Sequence, residues 1–309
     1  MKRKFVLTAL LGLMALPGQA ALLANDGPAM PIFSPPGGIY NSTQSIKITD
    51  PTPGAAIYFT TNGETPTTKS AKYTGAIAVA ESETLKAIAV ANGTAQSAVG
   101  SATYHLLASV LRKLDVAAAS FRSTSANVEF DTTQTYPIPD KEVQTGVVYY
   151  ERKGSSFQMG VHFAKDNGRP VPKIMIVSGG VFQLYEPLVD QVTKSTKVSK
   201  YESYLALGFG ASGKDLADKW NIKYLGEETI DGVKTAKLEL VAWDTDVLKL
   251  FPKVTIWIDP DRGVSLKQVF EEPEGASRVS LYSNIEVNKS LPSDAFTFKT
   301  DSKTQFVNR

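Results

Sequence analysis

The chain has no cysteine among its 309 residues. That excludes disulfides, thiolate metal sites and a lipid-modified cysteine terminus, so the fold must rest on packing alone. Histidine is nearly absent, with only His105 and His162. Two histidines so far apart exclude a local H-E-x-x-H zinc motif and leave no recognisable Ser-His-Asp context. Long apolar runs are also missing. The one run, Phe5 to Leu16, is shorter than the ~20 residues of a membrane-spanning helix. It follows Lys2, Arg3 and Lys4 and precedes Pro17 and Gly18-Gln19-Ala20, the pattern of a secretory signal. The expectation is a leader over residues 1–20 and a soluble, periplasmic remainder. Charge of one sign is lacking too: 33 bases face 31 acids, and without the three leader bases 30 face 31, a net charge of −1 with no charged block. Nucleic acid is not an expected partner.

What is present divides the chain into two parts with a join near Tyr104. A linker is expected over residues 21–30, a β-sandwich over 31–104 and a second domain over 105–309. From Pro31 to Tyr104, short alternating runs such as Ser45-Ile46-Lys47-Ile48-Thr49 and Leu85-Lys86-Ala87-Ile88-Ala89-Val90 are separated by turn residues. Asn62-Gly63 and Asn92-Gly93 read as hairpin turns, because a type I′ turn needs positive φ at both central positions. Leu107, Val110, Leu111, Leu114, Ala118 and Phe121 then recur at helical spacing and predict an amphipathic helix. Strands follow around Val147–Tyr150, Phe157–Phe163, Ile174–Val177 and Val181–Tyr185. Later ones are expected around Val233–Val241, Val254–Ile258, Leu266–Phe270 and Val279–Val287. Asn167-Gly168 and Asp231-Gly232 mark hairpins, and the whole reads as one long antiparallel meander. Between the two groups of strands, Tyr201 to Trp220 reads as two short helices around a flexible joint holding Gly208, Gly210 and Gly213; glycine weakens a helix by about 1 kcal/mol relative to alanine. The predicted fold class is mainly β: a fibronectin-like β-sandwich, then an incomplete antiparallel β-barrel with covering α-helices.

Two resemblances sharpen this. Phe33-Ser34-Pro35-Pro36-Gly37-Gly38-Ile39-Tyr40, Ile57 to Thr67, Tyr73 and Leu85-Lys86-Ala87 resemble the accessory module at the C-termini of chitobiases and β-hexosaminidases. That implies a sandwich without the catalytic barrel of those enzymes. The second domain is similar to the periplasmic lipoprotein carriers of the LolA-like family. The residues that carry this are the helix end Ala119-Ser120-Phe121, Gly146-Val147-Val148-Tyr149-Tyr150-Glu151-Arg152, Ile176 to Pro187 with Gln191-Val192, Val254 to Pro260, and Leu291 to Phe298. Where that family has Asp-Gly before its apolar strand, this chain has Ser178-Gly179-Gly180. The resemblance implies a half-barrel whose concave face, under helices, accepts acyl chains.

Alternation along the strands agrees with one apolar face. Phe157, Met159 and Val161 share a face. Leu238 and Leu240 share another with Ala236, and Val254, Ile256 and Ile258 a third. With Ile174 and Ile176 these are the candidate lining of a lipid-binding cavity, where burial contributes about 0.8 kcal/mol per CH₂. The alternative is that they are plain core under the helices. The resemblance also implies that Arg152 hydrogen-bonds helix backbone as a lid latch; otherwise it is a solvated turn charge beside Lys153 and Gly154. The lid hinge would then be Gly208, Gly210 and Gly213.

Other signals are explained without chemistry. Gly208-Phe209-Gly210-Ala211-Ser212-Gly213 fits G-x-G-x-x-G but lacks a βαβ context. Asp244 with Asp246, Asp259 with Asp261, and Glu271 with Glu272 are close carboxylates, of which Asp259-Pro260-Asp261-Arg262-Gly263 is a turn sequence. No catalytic residue, metal or cofactor is expected, and the chain reads as a monomer and not an enzyme. The expected partners are the acyl chains of a lipid or lipoprotein, with inner- or outer-membrane transport components. The alternative is a cell-envelope scaffold that uses its sandwich for glycan or protein contacts.

Overall fold

A computed structural model describes residues 27–91, 95–154, 156–196 and 207–309. The expected leader, the Asn92-Gly93 turn and residues 201–206 of the Tyr201–Trp220 segment lie outside these residues. The first domain is a sandwich of two sheets. One holds β1 (Ile32–Ser34), β3 (Gln44–Thr49) and β6 (Ile77–Val79). The other runs β2 (Gly38–Tyr40), β8 (Gly100–Leu106), β7 (Glu83–Val90), β4 (Ala56–Thr60) and β5 (Ala71–Lys72). Alternating residues Ile46, Ile48, Leu85, Ala87 and Tyr104 point between the sheets and are fully or almost fully buried. Asn62-Gly63 is not a two-residue hairpin. The chain loops from Thr60 to Ala71, and the Asn62 carboxamide instead accepts the Glu64 N–H at 3.1 Å in a local Asx turn.

β8 passes directly into α1 (Leu107–Ser120), with Leu106 as the cap residue. Leu106 has no capping side chain, and the first turn is held by the sandwich instead. Ser82 donates its N–H to Ser109 Oγ at 2.6 Å, and Glu81 takes hydrogen bonds from Ser109 Oγ and the Arg112 guanidinium. A carboxylate at a helix N-terminus also meets the positive end of the helix dipole. The helix buries Leu107, Val110, Leu114 and Ala118, the stripe expected from its spacing.

The second domain is one open sheet, in the order β15-β16-β17-β18-β19-β9-β10-β11-β12-β13-β14-β20. One meander comprises β9 (Ser123–Gln134), β10 (Asp140–Lys153), β11 (Ser156–Asp166), β12 (Arg169–Ser178), β13 (Val181–Glu186) and β14 (Gln191–Ser195). Another comprises β15 (Trp220–Ile230), β16 (Val233–Ala242), β17 (Lys253–Asp259), β18 (Val264–Glu271) and β19 (Ser277–Val287). The expected single meander is thus two, joined where β9 pairs with β19, and the final β20 (Gln305–Asn308) pairs parallel to β14. Asn167-Gly168 and Asp231-Gly232 take positive φ at both residues, as their turns require. The concave face is apolar and carries α1, α2 (Gly213–Lys219) and α3 (Thr245–Leu250). Among the described residues no helix is long and apolar enough to cross a membrane.

The convex face is crossed by the segment that leads to β20. Ala295 is fully buried there, Phe298 stacks on Tyr185 at 5.1 Å, and a Cβ on Gly160 would overlap the Ala295 carbonyl oxygen. Gly160→Val should therefore displace this strap and lower stability by about 1–3 kcal/mol. Denaturant unfolding, with limited proteolysis after Leu291, measures both effects; unchanged stability and an uncut strap would contradict the contact.

Candidate functional site

The concave face has two halves and a space between them. Over β15–β17, Leu238, Leu240, Val254, Ile256 and Ile258 are sealed beneath Leu107, Val110 and Leu114 of α1 and Leu216 of α2. Each is at most 1% exposed. These expected cavity residues are core, because the helices press directly upon them and leave no room for a guest. Over β9–β13, Val148, Tyr150, Met159, Val161 and Val177 form the second cluster, packed with Phe121 and Phe209.

Ile174 and Ile176 correct the expectation in another way. Val161 pairs with Met175 and Met159 with Val177, so Met175 and Val177 share the concave face. Their neighbours Ile174 and Ile176 pair with His162 and Gly160 and face the convex side. The continuous apolar run Ile174-Met175-Ile176-Val177 has no alternation from which to assign a face, and only its pairing does so.

The space between the halves is a cavity of about 280 Å³. Phe130, Tyr150, Met159 and Met175 line it from the sheet, and Trp220, Val247, Leu250 and Phe251 from the α3 side. Phe270 and Arg278, partners across β18 and β19, complete the lining with Gln268, Ser280 and Tyr282. Of the residues expected to line a cavity, Met159 does so. The walls are mostly hydrocarbon and aromatic, the character of sites for apolar ligands, with a few convergent polar groups. Those polar groups are satisfied: Gln268 donates to the Leu207 carbonyl at 2.6 Å and accepts from the Tyr282 hydroxyl at 3.3 Å. Tyr150 stacks on Phe209 at 4.3 Å, and Phe209 meets Tyr282 edge-on at 4.8 Å. Sequence reasoning overlooked Phe130 and Tyr282, although Ala126, Val128 and Phe130 alternate along β9; Phe270 and Phe251 had no such signal.

A second hollow, about 260 Å³ and more polar, lies at the other end of the same face and holds Phe157. Here Arg152 donates to the Ala118 carbonyl in the last turn of α1 at 3.2 Å and to the Gly210 carbonyl at 2.6 Å. Its guanidinium lies 6.0 Å from the Phe121 ring centre. The rigid fork of arginine thus ties the end of α1 to the loop before α2. That loop is not a free joint. Gly208 and Gly210 hold φ of +78° and +67°, and side chains there would overlap Ser265 Oγ and the Phe121 ring; one at Gly213 would overlap the Leu111 carbonyl oxygen. The Gly208 carbonyl accepts from Ser265 N–H at 2.7 Å, and Gly210 N–H donates to the Gly263 carbonyl at 2.9 Å. The glycines expected as a hinge permit close packing, which Cβ atoms would prevent. Ser212 caps α2 in a reciprocal capping box with Asp215, whose carboxyl is lowered first by the Ser212 hydroxyl.

The close carboxylates have structural roles. Asp244 caps α3, Asp259 accepts from the backbone N–H groups of Asp261 and Arg262, and Glu271 and Glu272 pair with Lys253 and Arg278. Among the described residues no group of His, Cys, Asp or Glu is arranged to hold a metal ion.

Residues 35–101 match the chitobiase/beta-hexosaminidase C-terminal domain. The chain is also 26% identical over 125 residues to an uncharacterized protein of Methanocaldococcus jannaschii, a match covering 40% of this chain. It spans about a third, 35%, of that relative's length. Among solved structures, an uncharacterized conserved protein from Thermus thermophilus is similar at 12% identity and a TM-score of 0.41, covering 65% of this chain and 97% of the other. A putative outer membrane lipoprotein-sorting protein domain from Vibrio parahaemolyticus is similar at 13% identity and 0.36, covering 60% and 94%. A LolA superfamily protein from Nitrosomonas europaea is similar at 18% identity and 0.32, covering 62% and 96%.

Burial raises the Tyr150 phenol well above its ordinary value and pushes Tyr282 up to about 12 from 10.0. A raised phenol stabilises the folded chain fully below pH 10, and this contribution is lost between pH 10 and about 12 as the unfolded chain ionises first. Tyr282→Phe should remove up to roughly 3 kcal/mol of that alkaline loss. Unfolding titrations across this range measure it, and an alkaline limb identical to the parent's would refute the assignment. Arg152→Ala should cost about 1–3 kcal/mol by removing the guanidinium donor from the Gly210 carbonyl and the second donor, beside the Phe121 N–H, from the Ala118 carbonyl. Faster hydrogen exchange confined to the α1 C-terminus and the α2 loop is the expected signature; unchanged exchange there would count against the tie.

Proposed function

We propose that the chain is an exported, non-enzymatic carrier that holds an acyl chain of a lipid or lipoprotein in the cavity between the concave sheet and α3. The observation that carries this reading is the cavity itself, walled by Phe130, Met159, Met175, Phe251 and Phe270, and more apolar than the hollow beside Arg152. Transfer of hydrocarbon into such a space is favourable by about 0.8 kcal/mol per CH₂, whatever the head group. Its volume, about 280 Å³, lies just below the roughly 300–1,000 Å³ of ligand pockets and suits part of an acyl chain. Arg152, bonded to both Ala118 and Gly210, acts as the latch that keeps α1 and the α2 loop together while the cavity fills or empties. The periplasm is the working compartment, where a carrier would meet inner- or outer-membrane components.

The scaffold reading has the match of residues 35–101 in its favour. Against a glycan platform, the sandwich aromatics are engaged within the module: Phe59 packs edge-on to Tyr73, and Tyr40 lies 6.0 Å from Tyr104.

Protein purified from the periplasm without detergent should carry phospholipid or acylated peptide in native mass spectrometry with lipid extraction. Met175→Trp should expel that ligand and lower uptake of a fluorescent fatty acid at least tenfold, because Met175 is half-buried on the cavity wall and the larger ring fills the space. An empty parent protein that also takes up no fatty acid would overturn the carrier reading, and retention on peptidoglycan or chitin would then favour the scaffold.

A further inference from the structure

The antiparallel register sorts the turns of the open sheet onto two rims. One rim carries the β9–β10 loop, the β11–β12 turn, the β13–β14 turn, the β16–β17 segment with α3, and the β18–β19 turn. The other carries the β10–β11, β12–β13, β15–β16 and β17–β18 turns. Exposed large apolar side chains are distributed unequally between them. Tyr136 and Ile138 stand on the first rim's β9–β10 loop, Leu188 and Val189 on the β13–β14 turn, and Trp243 and Leu250 on the β16–β17 segment. Their exposure runs from 45% at Leu250 to 74% at Ile138. Among the described residues no turn of the opposite rim carries one; it has Gly179-Gly180, Asp231-Gly232 and Pro260-Asp261-Arg262-Gly263.

The less buried part of the cavity wall lies toward the apolar rim: Leu250 and Arg278 are exposed and Phe251 and Phe270 half-buried, while Tyr150, Met159, Trp220 and Val247 are buried. Leu250 belongs to both, and Phe251, Phe270 and Arg278 lie at the ends of their elements on that side. We infer that this rim docks the half-barrel onto a lipid bilayer, with the loop tips inserted at the interface and the cavity mouth facing it. The chemistry favours a bilayer as the occupant. The apolar residues sit at the tips of separate loops, divided by polar residues, so a fluid surface accommodates them together where a rigid partner would need a pocket for each. A tryptophan and a tyrosine are among them, the residues enriched at membrane interfaces. The charge of the rim further defines the surface. Asp140, Asp166, Asp190, Asp244, Asp246, Glu272 and Glu274 outnumber Arg169, Lys249 and Lys253 on these loops. Attraction to acidic lipid is therefore absent, and insertion into a zwitterionic surface driven by apolar contact is what remains.

This goes beyond the carrier reading, and it is tested by a separate measurement from acyl-chain uptake, so either can fail alone. The chain lacks cysteine, which permits single labels without other changes. Ile138→Cys, Leu188→Cys and, on the opposite rim, Asp231→Cys would each carry an environment-sensitive fluorophore and be mixed with phosphatidylcholine vesicles. Blue shifts at 138 and 188 but not at 231 are expected. They should be insensitive to added salt, and vesicle flotation should fall at least tenfold in the combined Ile138→Ser, Leu188→Ser, Val189→Ser variant, with its melting curve unchanged. No shift at either rim position, or an equal shift at 231, would overturn the inference. Tethering by the apolar run Phe5–Leu16 alone would leave both rim labels unshifted and would overturn it as well.

Discussion

The pairing of β9 with β19 is the contact on which the rest of the second domain depends. It joins a meander that follows α1 to one that follows α2, and so brings residues more than 140 positions apart, such as Phe130 and Ser280, side by side. Without it neither meander would have a neighbour broad enough to bury its apolar face. With it the chain has one wide, twisted sheet that curls without closing, and two consequences follow: a concave apolar face that needs a cover, and two edges that need protection.

Both needs are met by the chain itself. The β14 edge receives β20, which the convex strap delivers and which Asp190 anchors by accepting from the Thr304 hydroxyl at 2.9 Å. The β15 edge lies against the sandwich. Asn41 accepts the Tyr224 N–H at 3.2 Å, and a bulge at Gly226, with φ of +103°, brings the backbone to the Ile39 side chain. A bulge that breaks the ladder at an edge also discourages pairing with another chain. The sandwich, joined to α1 without an intervening loop and clasped to it through Glu81, Ser82 and Ser109, therefore supports the half-barrel directly. A freely swinging spacer would not make these contacts.

The concave face is covered unevenly, and the cavity follows from that unevenness. α1 and α2 press on β15–β17 so closely that Gly213 is needed where α2 meets the backbone of α1. α3 is a short helix of Thr245–Leu250, fixed by its Asp244 cap, and it spans the neighbouring gap without filling it. Burial of Leu238 or Ile256 is thus a matter of stability, while the partly covered Phe270 and Met175 bound a space that a ligand can occupy.

Much of this architecture was legible in the sequence. The 3.6-residue stripe of α1, the period-2 alternation of Phe157-Met159-Val161 and Val254-Ile256-Ile258, and the Asn167-Gly168 and Asp231-Gly232 turns each act over a few residues, and local patterning determined them. A latch role for Arg152 came from the family resemblance and not from local patterning, and the two carbonyls to which it donates lie 34 and 58 residues away. Tertiary structure alone decided which apolar residues enclose space. Ile174-Met175-Ile176-Val177 is apolar on both faces, so its sequence is the same whichever side turns inward, and the pairing of Met175 with Val161 made the choice. The cavity likewise has no local signature: its walls come from β9 to β12, β15, β18, β19 and α3, and a void is a property of how distant surfaces fail to meet, which no periodicity along one segment encodes.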